Sequence, residues 1–173
     1  VMAKLHNQKN TQQIRDNLMS VCRWVFIFQL ALTVPMIIFA DVIMGVFGTE
    51  FRAAAMIFTI LVIAELIDGT FLSVETPLVY AKPSIPPILL VLTLIIEVAA
   101  IAGLSSIWGA EGAAVGFLVA MAFLAITRLY MLKIHLDISI LNLSYFTPLM
   151  AGVVMGGGLW FLRSLPINNA MIS

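Results

Sequence analysis

Five stretches of this chain are long and apolar enough to cross a lipid bilayer, and they constrain its fold more than any other feature. A helix rises about 1.5 Å per residue and the hydrocarbon core is about 30 Å thick, so each span needs roughly 20 apolar residues. Lipid offers no partner to unpaired backbone groups, and no stretch alternates apolar and polar residues like a barrel strand. The sequence therefore predicts an all-α, polytopic transmembrane helix bundle with spans at residues 24–47, 53–75, 87–107, 111–132 and 145–162.

The composition supports a membrane protein and excludes several other classes. Of the residues, 62% are hydrophobic and 10% are charged, whereas soluble domains carry roughly 25% charged residues. The nine basic residues balance the nine acidic ones, so a basic nucleic-acid-binding module is excluded. A single cysteine, Cys22, excludes an internal disulfide and a cysteine-based metal site. Because no enzyme motif occurs either, we predict no enzyme activity, cofactor, metal or nucleic-acid partner.

The two ends of the sequence indicate how it is organised. Residues 1–23 are polar and basic and lack the pattern of a signal peptide. We predict that they form a cytoplasmic loop that enters the first span, and that the bundle covers residues 24–165. Residues 166–173 follow the last span without a charge or a cap. We expect a truncated end there, and hence a chain that is part of a longer protein.

The basic residues indicate an orientation in the membrane, because Lys and Arg concentrate in cytoplasmic loops. With residues 1–23 in the cytoplasm, seven of the nine basic residues fall on the inner side and two on the outer side. The inner ones are Lys4, Lys9, Arg15, Arg23, Lys82, Arg128 and Lys133, and the outer ones are Arg52 and Arg163. This bias predicts a multi-pass protein of a cell membrane whose N-terminal segment is cytoplasmic.

Acidic residues inside the apolar stretches are the main candidates for a functional site. Glu65 and Glu97 fall near the middle of their spans, and at 100° per residue Glu65, Asp68 and Glu75 lie within about 80° of one another. Such groups suit proton uptake and release or cation binding. We therefore predict Glu65, Asp68 and Glu97 as coupling or cavity residues, joined by Asp41 near the outer end of the first span.

A purely structural role is the alternative for these acids. They would then bond to Ser, Thr or backbone groups of neighbouring helices, or pair with basic residues elsewhere in the protein. For Glu65 and Glu97, the sequence supports the functional and the structural role equally. For Glu75 and Glu111, which lie near predicted helix ends, the structural role is favoured.

Two arginines and three glycines complete the candidate residues. Arg23 and Arg128 fall at the inner mouth of the bundle and are candidates for contacting a phosphate, although Arg128 also fits a side chain that extends to the interface. Gly109, Gly112 and Gly116 recur at three- and four-residue spacing, which lets another helix approach closely. We predict helix packing for these glycines.

Two segments carry a resemblance to a known family. Residues 46–69, VFGTEFRAAAMIFTILVIAELIDG, resemble a Phe-Gly-x-Glu segment and its following helix in polysaccharide flippases of the multidrug/oligosaccharidyl-lipid/polysaccharide exporter superfamily. Residues 80–133 resemble the next stretch, in which a Lys-Pro loop and a helix lead into a Gly-x-x-Gly-Ala-Ala turn. Here that turn reads Gly109-Ala110-Glu111-Gly112-Ala113-Ala114. The resemblance covers about residues 45–135.

The resemblance implies a transporter of 12 or 14 helices in two bundles. Its substrate would be a lipid-linked oligosaccharide that moves from the inner to the outer leaflet of a prokaryotic inner membrane by alternating access, with a proton or sodium gradient as a drive. One departure is that such flippases are expected to hold the diphosphate with cations, whereas the charges in the middle of these spans are acidic. A cation-coupled multidrug exporter of the same superfamily and a non-transporting scaffold subunit are the alternatives.

Overall fold

The computed structural model describes residues 2–140 and 145–165, with side chains from residue 12 onward. Within these residues the chain forms helices and no strand, which confirms the all-α prediction. The 3₁₀ turn Thr49–Ala54 precedes α3 and the 3₁₀ turn Leu72–Val74 precedes α4. The α-helices are α1 (Met2–Ile38), α2 (Ala40–Val46), α3 (Ala55–Phe71), α4 (Glu75–Ala81), α5 (Ile85–Leu136) and α6 (Phe146–Ser164).

The first helix begins much earlier than the sequence predicts. Residues 2–23 are helical and continue into the first apolar stretch, which corrects the predicted loop over residues 1–23. The segment contains no Gly or Pro and is rich in Lys, Gln, Arg and Leu, which favour helices. α1 continues through Pro35 and ends at Ile38, where Phe39 leaves the helical conformation. The cytoplasmic position of this segment stays a prediction, and the predicted end at residues 166–173 lies outside the described residues.

The longest helix, α5, is a helical hairpin. Gly109 has φ 60° and ψ −136°, a conformation that favours glycine and that divides α5 into residues 85–108 and residues 110–136. A Cβ atom on Gly116 would lie 2.7 Å from the backbone nitrogen of Ile101. In a straight helix these two residues would be about 22 Å apart. The second half of α5 therefore runs back along the first half.

The helices pack mainly as a row, in the order α6, α1, α3, α5. α6 runs parallel to α1, because Gly152 lies against Leu30 and Gly156, one turn later, lies against Val34. α4 continues from α3 and packs against α5. A row of this kind leaves its two broad faces open.

The surface of the row is suited to a membrane. Four helices are long and apolar enough to cross one, at Gln12–Ile38, Thr49–Ala81, Ile85–Leu136 and Phe146–Ser164. In their most apolar segments, 11% of the residues are buried in the first three helices and 6% in the fourth. The accessible surface is 11460 Å², whereas a compact soluble domain of this mass exposes about 8,300 Å². The chain is a multi-pass membrane protein, and its exposed apolar side chains are positioned to contact lipid or further protein.

The buried apolar core lies at one end of the row, which we call the basic end. This end comprises residues 12–23, 74–84 and 129–140 and carries Arg15, Arg23, Lys82 and Lys133. Apolar burial stabilises a structure where the alternative is water, and it contributes little between helices that are already surrounded by lipid. A core at the basic end therefore fits a position near the membrane surface. Its buried residues are Leu18, Cys22, Val74, Leu78, Leu132, Ile138 and Ile140.

Candidate functional site: a buried charge cluster between helices

Arg128 lies at the centre of a group of charges between α3, α4 and the second half of α5. The residue is 2% exposed. Its Nη1 atom lies 2.5 Å from Oδ1 of Asp68, and its Nε and Nη2 atoms lie 2.7 and 2.5 Å from Oε1 of Glu75. The side chains of Asp68 and Glu75 are 23% and 25% exposed. We call these three residues the charge cluster.

The local fold brings the two carboxylates of the charge cluster to the same side. Asp68 lies in the last turn of α3, and Glu75 begins α4 after the 3₁₀ turn Leu72–Val74. Seven residues make almost two full helical turns, so the two side chains point in nearly the same direction. The hairpin of α5 places Arg128 opposite them. One guanidinium therefore joins the end of α3 and the start of α4 to a helix that is 53 to 60 residues further along the chain.

The charge cluster holds α3, α4 and the hairpin in one arrangement. Its formal charge is −1, since two carboxylates face one guanidinium. A guanidinium that donates several hydrogen bonds to carboxylates forms one of the stronger contacts in proteins. Arg128 thus does not extend to the interface, and it could contact a phosphate only after its bonds to Asp68 and Glu75 open. A role in phosphate binding stays a prediction.

A second polar contact joins α1 to α3. The Thr70 hydroxyl donates to the carbonyl of Leu66 at 2.6 Å and lies 3.1 Å from Oε1 of Gln29. The Gln29 amide occupies the space beside Gly69, where a Cβ atom would collide with it. No prediction from the sequence included this contact, whereas the structural role favoured for Glu75 agrees with its pairing to Arg128. The signal for the contact was available, because Gln29 is the only amide side chain within residues 24–47.

Glu65 and Glu97 are placed differently from Asp68. Glu65 is exposed and Glu97 is half-buried. Neither takes part in the ion pairs formed by the residues whose side chains the structure describes. Glu65 instead belongs to an exposed stripe with Leu61 on α3 and Leu72 at the start of the following 3₁₀ turn. The acids that the sequence places on one side of this helix therefore divide into a paired set and an exposed residue.

Asp41 lies at the end of the row opposite the basic end and pairs with Arg163 of α6. Its Oδ2 atom is 2.6 Å from Nη2 of Arg163, and Nη1 of the same arginine donates to the carbonyl of Ile38. The hydrogen bond from Arg163 lowers the pKa of the Asp41 carboxyl below its usual value. We call Asp41 and Arg163 the end pair. Asp41 does not join the charge cluster.

Arg23 is exposed at the basic end, beside a groove between α1 and the start of α6. The groove has a volume of about 210 Å³ and is also lined by Asp16, Ser20 and Tyr145. The Arg23 guanidinium is therefore the more accessible of the two that the sequence suggests for phosphate contact. That role also stays a prediction.

The glycines of the hairpin pack within the chain. A Cβ atom on Gly112 would collide with the carbonyl of Leu104, and one on Gly116 would lie 2.8 Å from the carbonyl carbon of Ala100. Gly109 has open space around it and matters for its backbone conformation instead. The small-residue face of Gly112 and Gly116 is therefore occupied by the first half of α5.

Among the described residues, no group of three or more His, Cys, Asp or Glu side chains is arranged to hold a metal ion.

Comparisons with known proteins identify no relative of this chain. No protein-family model, no curated protein and no solved structure matches the chain. The resemblance to polysaccharide flippases stays a prediction from the sequence.

Proposed function

We propose that the chain is part of a membrane transporter that flips lipid-linked oligosaccharide units from the inner to the outer leaflet by alternating access. The resemblance of residues 46–69 and 80–133 to polysaccharide flippases suggests the substrate class. The structural observation that supports transport most strongly is the exposure of Glu65 in the middle of an apolar helix.

An exposed carboxylate at this depth needs a polar environment. A charged side chain at the centre of a bilayer costs at least about 2.5 kcal/mol. Asp68 and Glu75 offset this cost by pairing with Arg128, whereas Glu65 is exposed on the surface of α3. A water-filled cavity between two helix bundles, as alternating-access transporters have, meets this need. The open faces of the row are suited to such a second bundle.

In this proposal the candidate residues have different roles in transport. The charge cluster makes α3, α4 and the hairpin one body that moves as a unit. Glu65 and Glu97 respond to the proton or sodium gradient, because they are acidic and lie outside the ion pairs of the described residues. Arg23 contacts the diphosphate of the substrate at the basic end.

Complementation tests this proposal. The gene that encodes this chain is expressed in a bacterial strain that lacks its O-antigen flippase, and surface polysaccharide is measured. We expect export to be restored, and Glu65→Gln to lower it at least tenfold with unchanged amounts of protein in the membrane. Asp137→Asn, at an exposed acid that follows α5 and lies outside both resembling segments, is the control and should export normally. Equal export by the Glu65→Gln and Asp137→Asn variants would refute the role of Glu65.

A cation-coupled multidrug exporter is the second candidate, and one observation favours it. The basic residue nearest the middle of the spans, Arg128, is neutralised by two carboxylates, so the exposed charge at that depth is acidic. An acidic cavity would attract an organic cation. Efflux of a fluorescent organic cation that depends on Glu65, without restored polysaccharide, would replace the flippase proposal with this one.

The structure gives less support to a scaffold subunit that assembles through its glycine face. Gly112 and Gly116 are covered by residues 100–104 of the same hairpin. A partner helix therefore has no access to that face.

A further inference from the structure

Thr93, in the first half of α5, has a buried hydroxyl group without a hydrogen-bond partner among the described residues. The residue is 3% exposed, and its Oγ1 atom meets no donor or acceptor in that part of the chain. The hydroxyls of Thr59, Thr70 and Thr127 each donate to the carbonyl four residues earlier, the usual bond of a threonine inside a helix. A buried polar group without a partner calls for an explanation such as a bound water molecule or ion.

Thr93 and Glu97 lie on the side of the first half of α5 that faces the second half. The backbone of residues 100–105 lies against Gly112 and Gly116 across the hairpin. Glu97 and Thr93 precede this contact by about one and two turns, and at about 100° per residue they point within about 50° of it. Side chains four residues apart on a helix are neighbours. The carboxylate of Glu97 and the hydroxyl of Thr93 therefore reach the same space between the two halves.

Glu97 has no basic partner in the described part of the chain. It is half-buried and takes part in none of the ion pairs there. Between Arg52 and Arg128 the sequence contains one basic residue, Lys82, which lies at the basic end. Arg128 is held in the charge cluster, whose own formal charge is −1. A carboxylate inside an apolar span needs a compensating charge, and here the charges of the chain favour a cation from outside it.

We propose that Glu97 and Thr93 bind a sodium ion between the two halves of α5. Hard cations take oxygen ligands, and the site offers a carboxylate and a free hydroxyl. Water completes the coordination from the exposed side of Glu97, so the site does not need three acidic or histidine side chains. One carboxylate balances one monovalent cation, which leaves the occupied site neutral within the span.

The inference deepens the proposed function, on which the choice of sodium rests. That proposal lets Glu97 respond to a proton or a sodium gradient. A proton on Glu97 needs no second oxygen atom, whereas a sodium ion accounts for the free hydroxyl of Thr93 as well. The ion of this site is therefore sodium, and Thr93 is its second ligand.

Direct binding of radioactive sodium tests the site without transport. The chain is purified in dodecyl maltoside, and we expect bound sodium that unlabelled sodium chloride displaces and choline chloride does not. Thr93→Val keeps the shape of the side chain and removes the hydroxyl. It should weaken binding by about tenfold or more, as the loss of a group that supports a metal site usually does. Glu97→Gln should abolish binding.

Two control variants make the test specific. Thr127→Val removes a hydroxyl that is already bonded within the same helix and should bind sodium like the unmodified chain. Glu65→Gln should also bind normally. Loss of binding in Glu65→Gln but not in Glu97→Gln would place the ion at Glu65 and overturn the proposal. A Thr93→Val variant with unchanged helical circular dichroism and unchanged affinity would overturn it as well.

The outcomes separate this site from the transporter proposal. Sodium binding that depends on Glu97 and Thr93, together with failed complementation, would support the site and count against the flippase. Restored polysaccharide export by a chain that binds no displaceable sodium would support transport and overturn the site.

Discussion

The charge cluster and the end pair use the same chemistry in two different surroundings. In the charge cluster, Arg128 is 2% exposed and bonds to two carboxylates between helices. In the end pair, Arg163 and Asp41 are 40% and 44% exposed at the end of the row. The penalty for an unpaired charge grows with burial, whereas an exposed ion pair competes with water and salt. We therefore expect the same substitution to have very different effects at the two places.

Removal of the buried guanidinium should have the largest effect. Arg128→Met leaves Asp68 and Glu75 without their partner, and the loss of one partner from a buried ion pair typically costs about 3 to 5 kcal/mol. We expect the variant to unfold at a much lower fraction of SDS in a mixed-micelle titration followed by circular dichroism. A midpoint equal to that of the unmodified chain would show that the cluster is hydrated rather than buried.

Neutralisation of the whole cluster should have a smaller effect. In a variant that combines Asp68→Asn, Glu75→Gln and Arg128→Met, no unpaired charge remains, and replacement of a complete buried ion network is often close to neutral. We expect the same titration to recover most of the stability lost in Arg128→Met. A triple variant as unstable as Arg128→Met would mean that packing around Arg128 matters more than its charge.

Disruption of the end pair should have the smallest effect. Arg163→Gln removes one partner of an exposed ion pair, so the SDS midpoint near pH 7 should fall by a small but measurable amount. Because Arg163 lowers the pKa of Asp41, the pair stabilises the folded chain above the unfolded-state value of about 3.9. This contribution disappears as the pH falls through the lower pKa of the folded state. The difference between Arg163→Gln and the unmodified chain should therefore vanish at low pH, and a difference that grows there would contradict the assignment.

The sequence predicts where apolar helices run better than it predicts which of them meet. The apolar stretches are local signals, and they lead to an all-α bundle. Gly109, for which helix packing was predicted, instead forms the turn of the hairpin. The position of Asp68 and Glu75 on one side of the chain is also a local signal. Their partner Arg128 is 53 residues beyond Glu75 and was expected to extend to the interface or to contact a phosphate. The contact of Arg128 with these acids depends on how the hairpin packs against α3, and no local sequence pattern predicts that packing.

Residues 1–23 illustrate the opposite error. Their polar composition predicts a loop, but polarity determines only whether a segment enters lipid, not whether its backbone is helical. Without Gly or Pro, the segment extends α1 beyond the apolar stretch. This extension supplies Leu18 and Cys22 to the apolar core of the basic end.

The turn at Gly109 has a consequence for how α5 fits a membrane. It joins the two halves of α5 through one residue outside the helical conformation. Without this turn, the 52 residues of α5 would form a straight helix of about 78 Å, more than twice the thickness of the hydrocarbon core. A change at Gly109 that straightens the turn would therefore carry Arg128 away from Asp68 and Glu75 and force one half of α5 out of the bilayer.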